Sequence, residues 1–259
     1  MSKKPIGIFD SGIGGTSILK EIHTLLPNEN CIYLADSKNA PYGPKGRDRI
    51  IELSVKNTDL LLKNQCKLVV VACNTATTNA IDYLRASYKV PFIGIEPAIK
   101  PAALQTKTGA IGILATKGTL SSSLFHNTSN LFTQGINVIE QEGEGIVELI
   151  ENGQLYSGAM KDLLKQYLQP MLDARIDHLV LGCTHYAYLM PLLLELLPQE
   201  VKIIDSGEAV AKQTKAILAQ HELLHTSKSY SKNQFFTNGN PEIMQTLLDG
   251  NVDVTHLDF

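Results

Sequence analysis

The sequence predicts an α/β protein with two pseudo-symmetric, doubly wound domains, mostly parallel sheets and a candidate active site in the cleft between them. Three observations support this fold class. Short aliphatic segments alternate with longer amphipathic segments along almost the whole 259-residue chain, as is typical of parallel sheets covered by helices. An internal repeat predicts two related halves. Polar and thiol side chains follow several predicted strands, at the sheet edge where open α/β folds bind ligands.

The strands can be assigned in chain order. Each is a short run rich in β-branched or aliphatic residues, at 6–9, 31–35, 67–72, 91–95, 110–114, 136–140, 178–182, 201–205, 232–236 and 252–258. The run LVVVA at 68–72 has no polar alternation, so both of its faces should be covered. Helical patterns lie between the strands; residues 46–64, for example, place their apolar side chains on one side. Residues 225–233 are predicted to form an exposed loop.

An internal repeat relates the middle of the chain to its beginning. Residues 68–80 read LVVVACNTATTNA, and residues 178–189 read HLVLGCTHYAYL. In both segments an apolar strand leads to a cysteine and then to a polar pair that opens a helix. The two cysteines are about 110 positions apart, and two further pairs of segments recur in the same order at similar offsets. These pairs are 6–12 with 111–118 and 92–98 with 202–209.

The repeat sets the predicted domain boundaries. The first domain comprises residues 1–97 plus 210–259, and the second comprises residues 98–209. The last part of the chain reads as helix, strand, helix and strand. We expect it to return to the sheet of the first half and complete it.

Composition narrows the class of protein. The chain is 44% hydrophobic and 19% charged, with a net charge of −3, which is ordinary for a globular protein. It has no block of Lys and Arg, so neither nucleic acid nor an anionic membrane is expected as a partner. The aliphatic runs at 68–73 and 189–197 are too short to span a bilayer. No signal-peptide pattern precedes the first strand and the four cysteines show no metal-type pairing, so we expect a cytoplasmic protein with reduced thiols and no metal.

Two of the four cysteines occupy equivalent positions in the repeat. Cys73 and Cys183 each end a predicted strand, at the edge of the sheet where ligands bind. Asn74 and Thr75 are predicted to cap the helix after Cys73. A thiol at a helix N-terminus has a lowered pKa and becomes a usable thiolate. The other two cysteines lie at strand starts and are interpreted as structural.

Two opposed thiols suit a chemistry that requires neither a metal nor a disulfide. One thiolate removes a proton from a carbon acid, and the thiol on the opposite face returns a proton, so that the configuration is inverted. The charge that develops on the substrate has to be stabilised by preorganised donors. The candidate donors stand at helix starts: Ser11, Asn74, Thr75 and Thr184. Asp10 and His185 are candidates for moving protons to and from the thiols.

The first predicted strand ends in the glycine-rich run DSGIGG at 10–15, a near match to the dinucleotide-binding fingerprint. Ser17 stands where the third glycine belongs, and Asp36 lies about where an acid that binds ribose is expected. The carboxylate of Asp10 would repel a pyrophosphate. We therefore interpret Asp10 as an acid/base partner or a helix cap, and the glycines as a tight turn that exposes backbone donors.

Together the motifs resemble the glutamate racemases of the cofactor-independent aspartate/glutamate racemase superfamily. The matching stretches are IGIFDSGIGG, DSKNAPYG, VVACNTAT, GIEPA, VELIENG, LGCTHY and IIDSGEA, with QFFTNGNPEIM towards the C-terminus. The resemblance implies two α/β domains that hold glutamate between them, two cysteine bases and no cofactor. It further implies a role in supplying D-glutamate for peptidoglycan, and a homodimer is an expectation from the family.

The resemblance also assigns roles to individual residues. Cys73 should act on the D-isomer with help from Asp10, and Cys183 on the L-isomer with help from His185. Glu151, which its own helical context would place at a solvated helix end, should assist near Cys183. The residues that match the family's substrate-binding positions are Asp10, Ser11, Pro41, Tyr42, Gly43, Asn74, Thr75, Thr184 and His185, with Thr116 and Thr119 at the equivalent strand end of the second half.

One stretch departs from the family pattern. Residues 141–143 are Gln-Glu-Gly, whereas the family often has Ala-Cys-Pro there. The two strand-end cysteines are unaffected, so we expect activity to be kept. The loop before Glu151 should differ in detail.

Other functions fit part of the pattern. The nearest is a racemase for another substrate, such as aspartate or a hydantoin, or a related decarboxylase. A non-catalytic amino-acid-binding module would also have two α/β lobes around a cleft, but binding alone requires no paired thiols. A zinc site built from Cys73, Cys183 and His185 would have only three good ligands.

Overall fold

The computed structural model describes residues 3–225, 231–248, 250 and 252–259. Its strands are β1 (Ile6–Asp10), β2 (Cys31–Ala35), β3 (Leu68–Val71), β4 (Phe92–Gly94), β5 (Ala110–Ala115), β6 (Asn137–Glu142), β7 (His178–Gly182), β8 (Lys202–Ile204), β9 (Asn233–Thr237) and β10 (Val254–His256). Each of the ten predicted strands is therefore present. Residues 226–230 of the predicted exposed loop lie outside the described residues.

Helices follow the strands in both halves. They are α1 (Thr16–Leu25), α2 (Arg47–Lys63), α3 (Asn74–Ser87), α4 (Ile99–Gln105), α5 (Lys117–Leu120), α6 (Ser123–Phe132), α7 (Ile146–Glu151), α8 (Gly158–Asp173), α9 (Met190–Leu196), α10 (Gly207–Gln220) and α11 (Pro241–Leu247). Short 3-10 helices occupy Ser37–Asn39 and Thr184–Leu189. The helix predicted at 46–64 is α2. The helix predicted directly after Cys183 is instead the second 3-10 helix, which leads into α9.

The strands form two parallel sheets with the same core topology. The first has the order β10-β9-β2-β1-β3-β4, and the second has the order β6-β5-β7-β8. The four strands β2-β1-β3-β4 thus correspond in order to β6-β5-β7-β8, as the sequence repeat predicts. Strands β9 and β10 extend the first sheet beyond β2, so the end of the chain does return to the first half. The exact domain boundaries, 97/98 and 209/210, stay a prediction.

Both faces of the first sheet are covered, because successive side chains of a strand point to opposite faces. Ile6 and Ile8 of β1 belong to a different apolar cluster from Phe9. The four residues of β3 are all fully buried, which explains why the run at 68–72 shows no polar alternation. Helices α2 and α3 cover one face, and α1 with α10 covers the other.

The largest apolar cluster joins the two sheets. It contains Ile8 and Tyr33 of the first sheet together with Leu179 and Leu181 of the second. Helix α1 contacts the 3-10 helix that follows β7. This shared core holds the carboxyl ends of both central strand pairs, β1 with β3 and β5 with β7, towards one another.

Candidate active site

The candidate site residues stand at the carboxyl ends of the central strands of both sheets. Asp10 is the last residue of β1, and Cys183 directly follows β7. Hydrogen bonds connect the two lobes across the cleft. Thr184 Oγ1 donates to Asp10 Oδ2 at 3.2 Å, and the hydroxyls of Thr75 and Thr116 are 2.7 Å apart. Asp10, Thr184, Thr75 and Thr116 therefore lie together where the two sheets meet.

Cys73 caps helix α3 with its own sulfur. Its Sγ accepts a hydrogen bond from the Ala76 N–H at 3.4 Å, while its thiol donates to Ser11 Oγ at 3.5 Å. The prediction that Asn74 and Thr75 cap this helix is wrong, because both lie inside the first turn. The sulfur at the cap position is thereby fixed at the edge of the sheet.

The surroundings of Cys73 favour its neutral thiol form. Burial raises the pKa of Cys73 well above its ordinary value, and the nearby carboxylate of Asp10 raises it further. The hydrogen bonds with Ser11 and Ala76 act in the opposite direction but are outweighed. The predicted lowering of this pKa by the helix N-terminus is therefore wrong, because loss of water stabilises the neutral thiol.

Asp10 is fully buried and bonded on both carboxylate oxygens. Oδ1 accepts from the Ser11 N–H and Oδ2 accepts from the Gly15 N–H, each at 2.7 Å. Burial raises the pKa of Asp10, against the opposing effects of His185 and of these N–H groups. The carboxyl group fixes the glycine-rich turn and lies in contact with the thiol of Cys73. The interpretation of Asp10 as a helix cap is wrong, because the N-cap residue of α1 is Gly15. Its role as an acid/base partner stays a prediction.

On the side of the second lobe, Cys183, His185 and Glu151 form a connected row. Cys183 Sγ lies 3.8 Å from His185 Nδ1, and His185 Nε2 lies 2.5 Å from Glu151 Oε1. Burial alone would lower the pKa of His185, but its hydrogen bonds with Cys183 and Glu151 outweigh burial and raise this pKa well above the ordinary value. His185 Nδ1 is also 4.0 Å from Asp10 Oδ2. The imidazole of His185 therefore contacts the sulfur of Cys183 and lies between the carboxylates of Glu151 and Asp10.

The glycine-rich turn allows this row to approach the first lobe. A Cβ on Gly12 would lie 1.9 Å from Glu151 Oε1, and a Cβ on Gly14 would lie 2.4 Å from His185 Nδ1 and 2.5 Å from its backbone nitrogen. The backbone donors predicted to be exposed by the turn are instead buried and occupied: the Ile13 N–H donates to Glu151 Oε1 at 2.7 Å, and those of Ser11 and Gly15 bond to Asp10. The turn thus binds carboxylates of the protein itself and makes room for the opposite lobe.

Polar groups at the start of α3 face the second lobe. Thr119 Oγ1 lies 3.1 Å from Thr116 Oγ1 and 3.5 Å from Thr75 Oγ1. Asn74 is 2% exposed, and neither its amide oxygen nor its amide nitrogen has a hydrogen-bond partner in the part of the chain that the structure describes. A buried amide without partners is costly, so Asn74 has the character of a group that binds a ligand.

The segment Pro41-Tyr42-Gly43 is anchored by Asp36. Tyr42 is buried, and its hydroxyl donates to Asp36 Oδ2 at 2.6 Å. Gly43 lies close to the second lobe, since an added Cβ would be 3.2 Å from the Cβ of Thr116. The hydroxyl of Tyr42 is therefore engaged with the protein, and a ligand would meet this segment through its backbone.

A neighbouring side chain explains why position 143 is a glycine. A Cβ there would lie 2.2 Å from the Tyr186 hydroxyl, which donates to the Gly143 carbonyl oxygen at 3.1 Å. The departure from the family pattern at 141–143 is thus accompanied by a close contact with the 3-10 helix after Cys183.

Three contributions to the site were not found from the residues alone. The helical context of Glu151 predicts a solvated helix end, and only the family resemblance indicates a role in the site. Asp36 stands where a dinucleotide-binding protein has an acid that binds ribose. In the structure it instead accepts hydrogen bonds from four side chains: Asn39, Tyr42, Lys56 and Asn238. Asn79 donates to the Gly118 carbonyl oxygen at 3.1 Å across the cleft; its position one helical turn after Thr75 is the signal that could have identified it.

Cys183, Thr184 and Asn74 also line a cavity of about 940 Å³, whose other walls include α1 and residues near the C-terminus. Among the described residues, no group of three or more His, Cys, Asp and Glu side chains is placed to hold a metal ion, including the trio considered for zinc. No helix in the described ranges is long and apolar enough to cross a membrane.

Comparison with known proteins gives consistent matches over nearly the whole chain. The family model described as Asp/Glu/Hydantoin racemase matches residues 6–214. A glutamate racemase of Herpetosiphon aurantiacus is 44% identical over 241 residues, which cover 93% of this chain and 95% of that protein.

Solved structures agree with this result. Glutamate racemase of Escherichia coli in complex with L-glutamate and the activator UDP-MurNAc-Ala has a TM-score of 0.86 and 35% identity, with 98% of both chains covered. Glutamate racemase of Francisella tularensis in complex with D-glutamate has a TM-score of 0.84 and 28% identity, with 100% of this chain and 98% of that chain covered.

Proposed function

The chain belongs to the Asp/Glu/hydantoin racemase family, and from this membership we propose that it is a glutamate racemase that interconverts L- and D-glutamate. The observation that carries the proposal is the pairing of two strand-end cysteines from two lobes, each with an acid/base partner. Asp10 contacts the thiol of Cys73, and His185 contacts the sulfur of Cys183. Pure binding would not require this arrangement.

In the proposed reaction the two thiols act on opposite faces of the α-carbon. For L-glutamate, the Cys183 thiolate removes the α-proton, and the Cys73 thiol then donates a proton to the other face. For D-glutamate, the two cysteines exchange roles. Asp10 and His185 hold the thiols in opposite protonation states, and Glu151 assists through His185. The low exposure of these groups strengthens each of these electrostatic interactions.

A bound substrate would change the protonation of Cys73. Burial and the Asp10 carboxylate both raise the pKa of Cys73. The α-ammonium group of an amino acid brings a positive charge next to the sulfur, and a nearby positive charge favours a thiolate. The ammonium group of the substrate would therefore favour the thiolate form of Cys73.

The remaining site residues are proposed to bind and orient glutamate. The developing charge on the α-carboxylate would be stabilised by hydroxyl, amide and backbone N–H donors. The residues proposed for substrate contacts are Asp10, Ser11, Pro41, Tyr42, Gly43, Asn74, Thr75, Thr116, Thr119, Thr184 and His185. Their support is their placement around one cleft, where Asn74 is buried and has no hydrogen-bond partner within the described ranges.

Replacing Asn74 by alanine tests this assignment. We expect Asn74→Ala to raise KM for glutamate about 10- to 100-fold, because a hydrogen bond to a charged group contributes about 1.5–3 kcal/mol. Thermal stability should not fall, since the amide has no partner to lose and alanine favours the helix. Steady-state kinetics and a melting curve measure both quantities. The exposed Asn127→Ala, on α6, is the matched control, and an unchanged KM for Asn74→Ala would contradict the assignment.

Solvent hydrogen exchange is the direct test of the proposed function. The reduced protein in deuterated water should incorporate deuterium at the α-carbon of both glutamate enantiomers and interconvert them without an added cofactor. The same assay with aspartate separates this proposal from a racemase for another substrate. Folded, reduced protein that exchanges neither glutamate enantiomer would refute the proposal and favour an amino-acid-binding module.

The cellular setting is proposed on the same basis. We expect the enzyme to act in the cytoplasm, where its thiols stay reduced, and to supply D-glutamate for peptidoglycan. A homodimer also stays a prediction, which sedimentation of the purified protein measures.

A further inference from the structure

The carboxylate of Asp36 is the centre of a polar network that lies behind the segment 41–43. Asp36 directly follows β2 and is fully buried. Its N–H donates to the Asp10 carbonyl oxygen at 3.1 Å, so the network is attached to the same sheet edge as the candidate site. Asp36 Oδ2 accepts from the Tyr42 hydroxyl at 2.6 Å, and Asn57 Nδ2 donates to that hydroxyl at 3.2 Å. A buried carboxylate therefore holds the side chain of Tyr42.

Lys56 supplies a positive charge to this network. Its Nζ lies 3.1 Å from Asp36 Oδ1, donates to the main-chain oxygen of Phe259 at 3.0 Å and stands 5.1 Å from the centroid of the Phe259 ring. The other donors to Oδ1 are the neutral amides of Asn39 and Asn238. Because a buried carboxylate that loses its partner charge is left uncompensated, the ion pair with Lys56 stabilises Asp36 in this place.

Tyr42 connects the network to the candidate site. Its side chain is 1% exposed and belongs to the same apolar cluster as Cys73. The next residue, Gly43, lies against the second lobe: a Cβ on Gly118 would be 3.0 Å from the Gly43 carbonyl oxygen and 3.2 Å from its Cα. A shift of the Tyr42 ring would therefore move the backbone that meets the opposite lobe.

We propose that Lys56 is a positioning residue for the glutamate site. Its charge keeps Asp36 in place as the acceptor for the Tyr42 hydroxyl. Tyr42 in turn fixes the backbone of the segment 41–43, which is proposed to contact glutamate. This inference rests on the proposed racemase function, in which Lys56 carries no proton and acts only through Asp36 and Tyr42.

Lys56→Met tests the proposal, because methionine keeps the length of the side chain and removes its charge. We expect KM for both glutamate enantiomers to rise about tenfold, the size that corresponds to one weakened charge-assisted hydrogen bond. The value of kcat should stay within about threefold, because a loosened segment weakens binding of the substrate and of the transition state alike. Steady-state kinetics on the folded protein measure both constants.

Two further single variants serve as comparisons. Lys56→Arg keeps the charge and should hold KM within about threefold of wild type. Lys63→Met is the matched control, since Lys63 is exposed in the last turn of α2. It removes the same charge from the same helix and should leave KM unchanged.

A double-mutant cycle distinguishes positioning from a general contribution to stability. Tyr42→Phe removes the hydroxyl that links Asp36 to the segment, and it should raise KM by a factor similar to that of Lys56→Met. In the Tyr42→Phe background, Lys56→Met should change KM less than about threefold further, because both substitutions cut the same connection. Effects that multiply would mean that Lys56 acts by another route and would overturn the proposal.

Other results would also contradict it. An unchanged KM in folded Lys56→Met, or an equal rise in Lys63→Met, would remove Lys56 from the site. Should melting curves show that Lys56→Met is unfolded, its combination with Asp36→Asn removes both charges together. That double variant should still raise KM several-fold, since a neutral amide holds Tyr42 less strongly, and a wild-type KM there would refute the role.

Failure of the racemase proposal gives a different result. Wild type and Lys63→Met would then show no exchange of the glutamate α-hydrogen. Failure of the positioning role alone leaves exchange by both proteins intact.

Discussion

Cys73→Ser and Cys183→Ser are each expected to lower racemisation by at least about a thousandfold, the largest effect predicted for this chain. A serine hydroxyl is far less acidic than a thiol, so it cannot act as the base at neutral pH. Each variant should nevertheless keep one half of the chemistry. Cys73→Ser retains the base for L-glutamate and should exchange the α-hydrogen of that enantiomer alone, whereas Cys183→Ser should exchange that of D-glutamate alone.

The measurement is polarimetry for racemisation together with mass or NMR detection of α-deuterium in each enantiomer. Cys31→Ala is the control for loss of a buried thiol, because Cys31 lies at the start of β2, at the opposite end of the strand from the site. It should keep near wild-type turnover. Near wild-type turnover in both directions by either strand-end variant would remove that cysteine from the mechanism. Exchange of both enantiomers by one variant would indicate a single base.

Gly14→Ala is expected to cause the second largest loss. The added methyl group would lie 2.4 Å from His185 Nδ1 and 2.5 Å from the His185 backbone nitrogen. The side chain could rotate away, but the backbone could not, so the turn and the second lobe would have to separate. Displacements of about 1 Å cost about 10²-fold in rate, and we expect a loss of kcat of that size or larger.

The same substitution should also affect stability, because overpacking at a close contact costs about 1–3 kcal/mol. Urea unfolding of Gly14→Ala and kinetics on the folded fraction measure the two effects separately. Gly158→Ala is the matched control, since nothing lies within 4 Å of the added Cβ and the site is the first turn of α8. Full activity in Gly14→Ala would contradict the close fit between the turn and His185.

The positions of the strands could be predicted from the sequence because buried strands consist almost entirely of apolar residues. β3 is apolar along its whole length since both of its faces are covered. The repeat around Cys73 and Cys183 then predicted the matching topology of the two sheets. The C-terminal return of β9 and β10 also followed, because two strands remained after the second half had been accounted for.

The site residues could be predicted only in part, because contacts across the cleft join distant parts of the chain. Nothing near Glu151 in the sequence shows that it meets the Ile13 N–H and His185. The glycines at 12 and 14 indicate a turn, but the sequence does not show why a side chain is excluded there, which is that the other lobe approaches closely. The prediction of a lowered pKa for Cys73 was wrong for a similar reason. The helix terminus can be recognised in the sequence, whereas the depth of burial depends on all the residues packed around the thiol.

The return of β9 and β10 to the first sheet has a consequence for synthesis on the ribosome. Strands β5 to β8 are contiguous in the chain, so the second sheet can be complete before the last residues emerge. The first sheet cannot be, because β2 pairs with β9 on one side. Until then, the buried run Cys31–Ala35 presents an unpaired apolar edge, the kind of edge that invites pairing with other chains. The lobe translated first is thus the lobe finished last, and the nascent chain depends on its final segment for protection from aggregation.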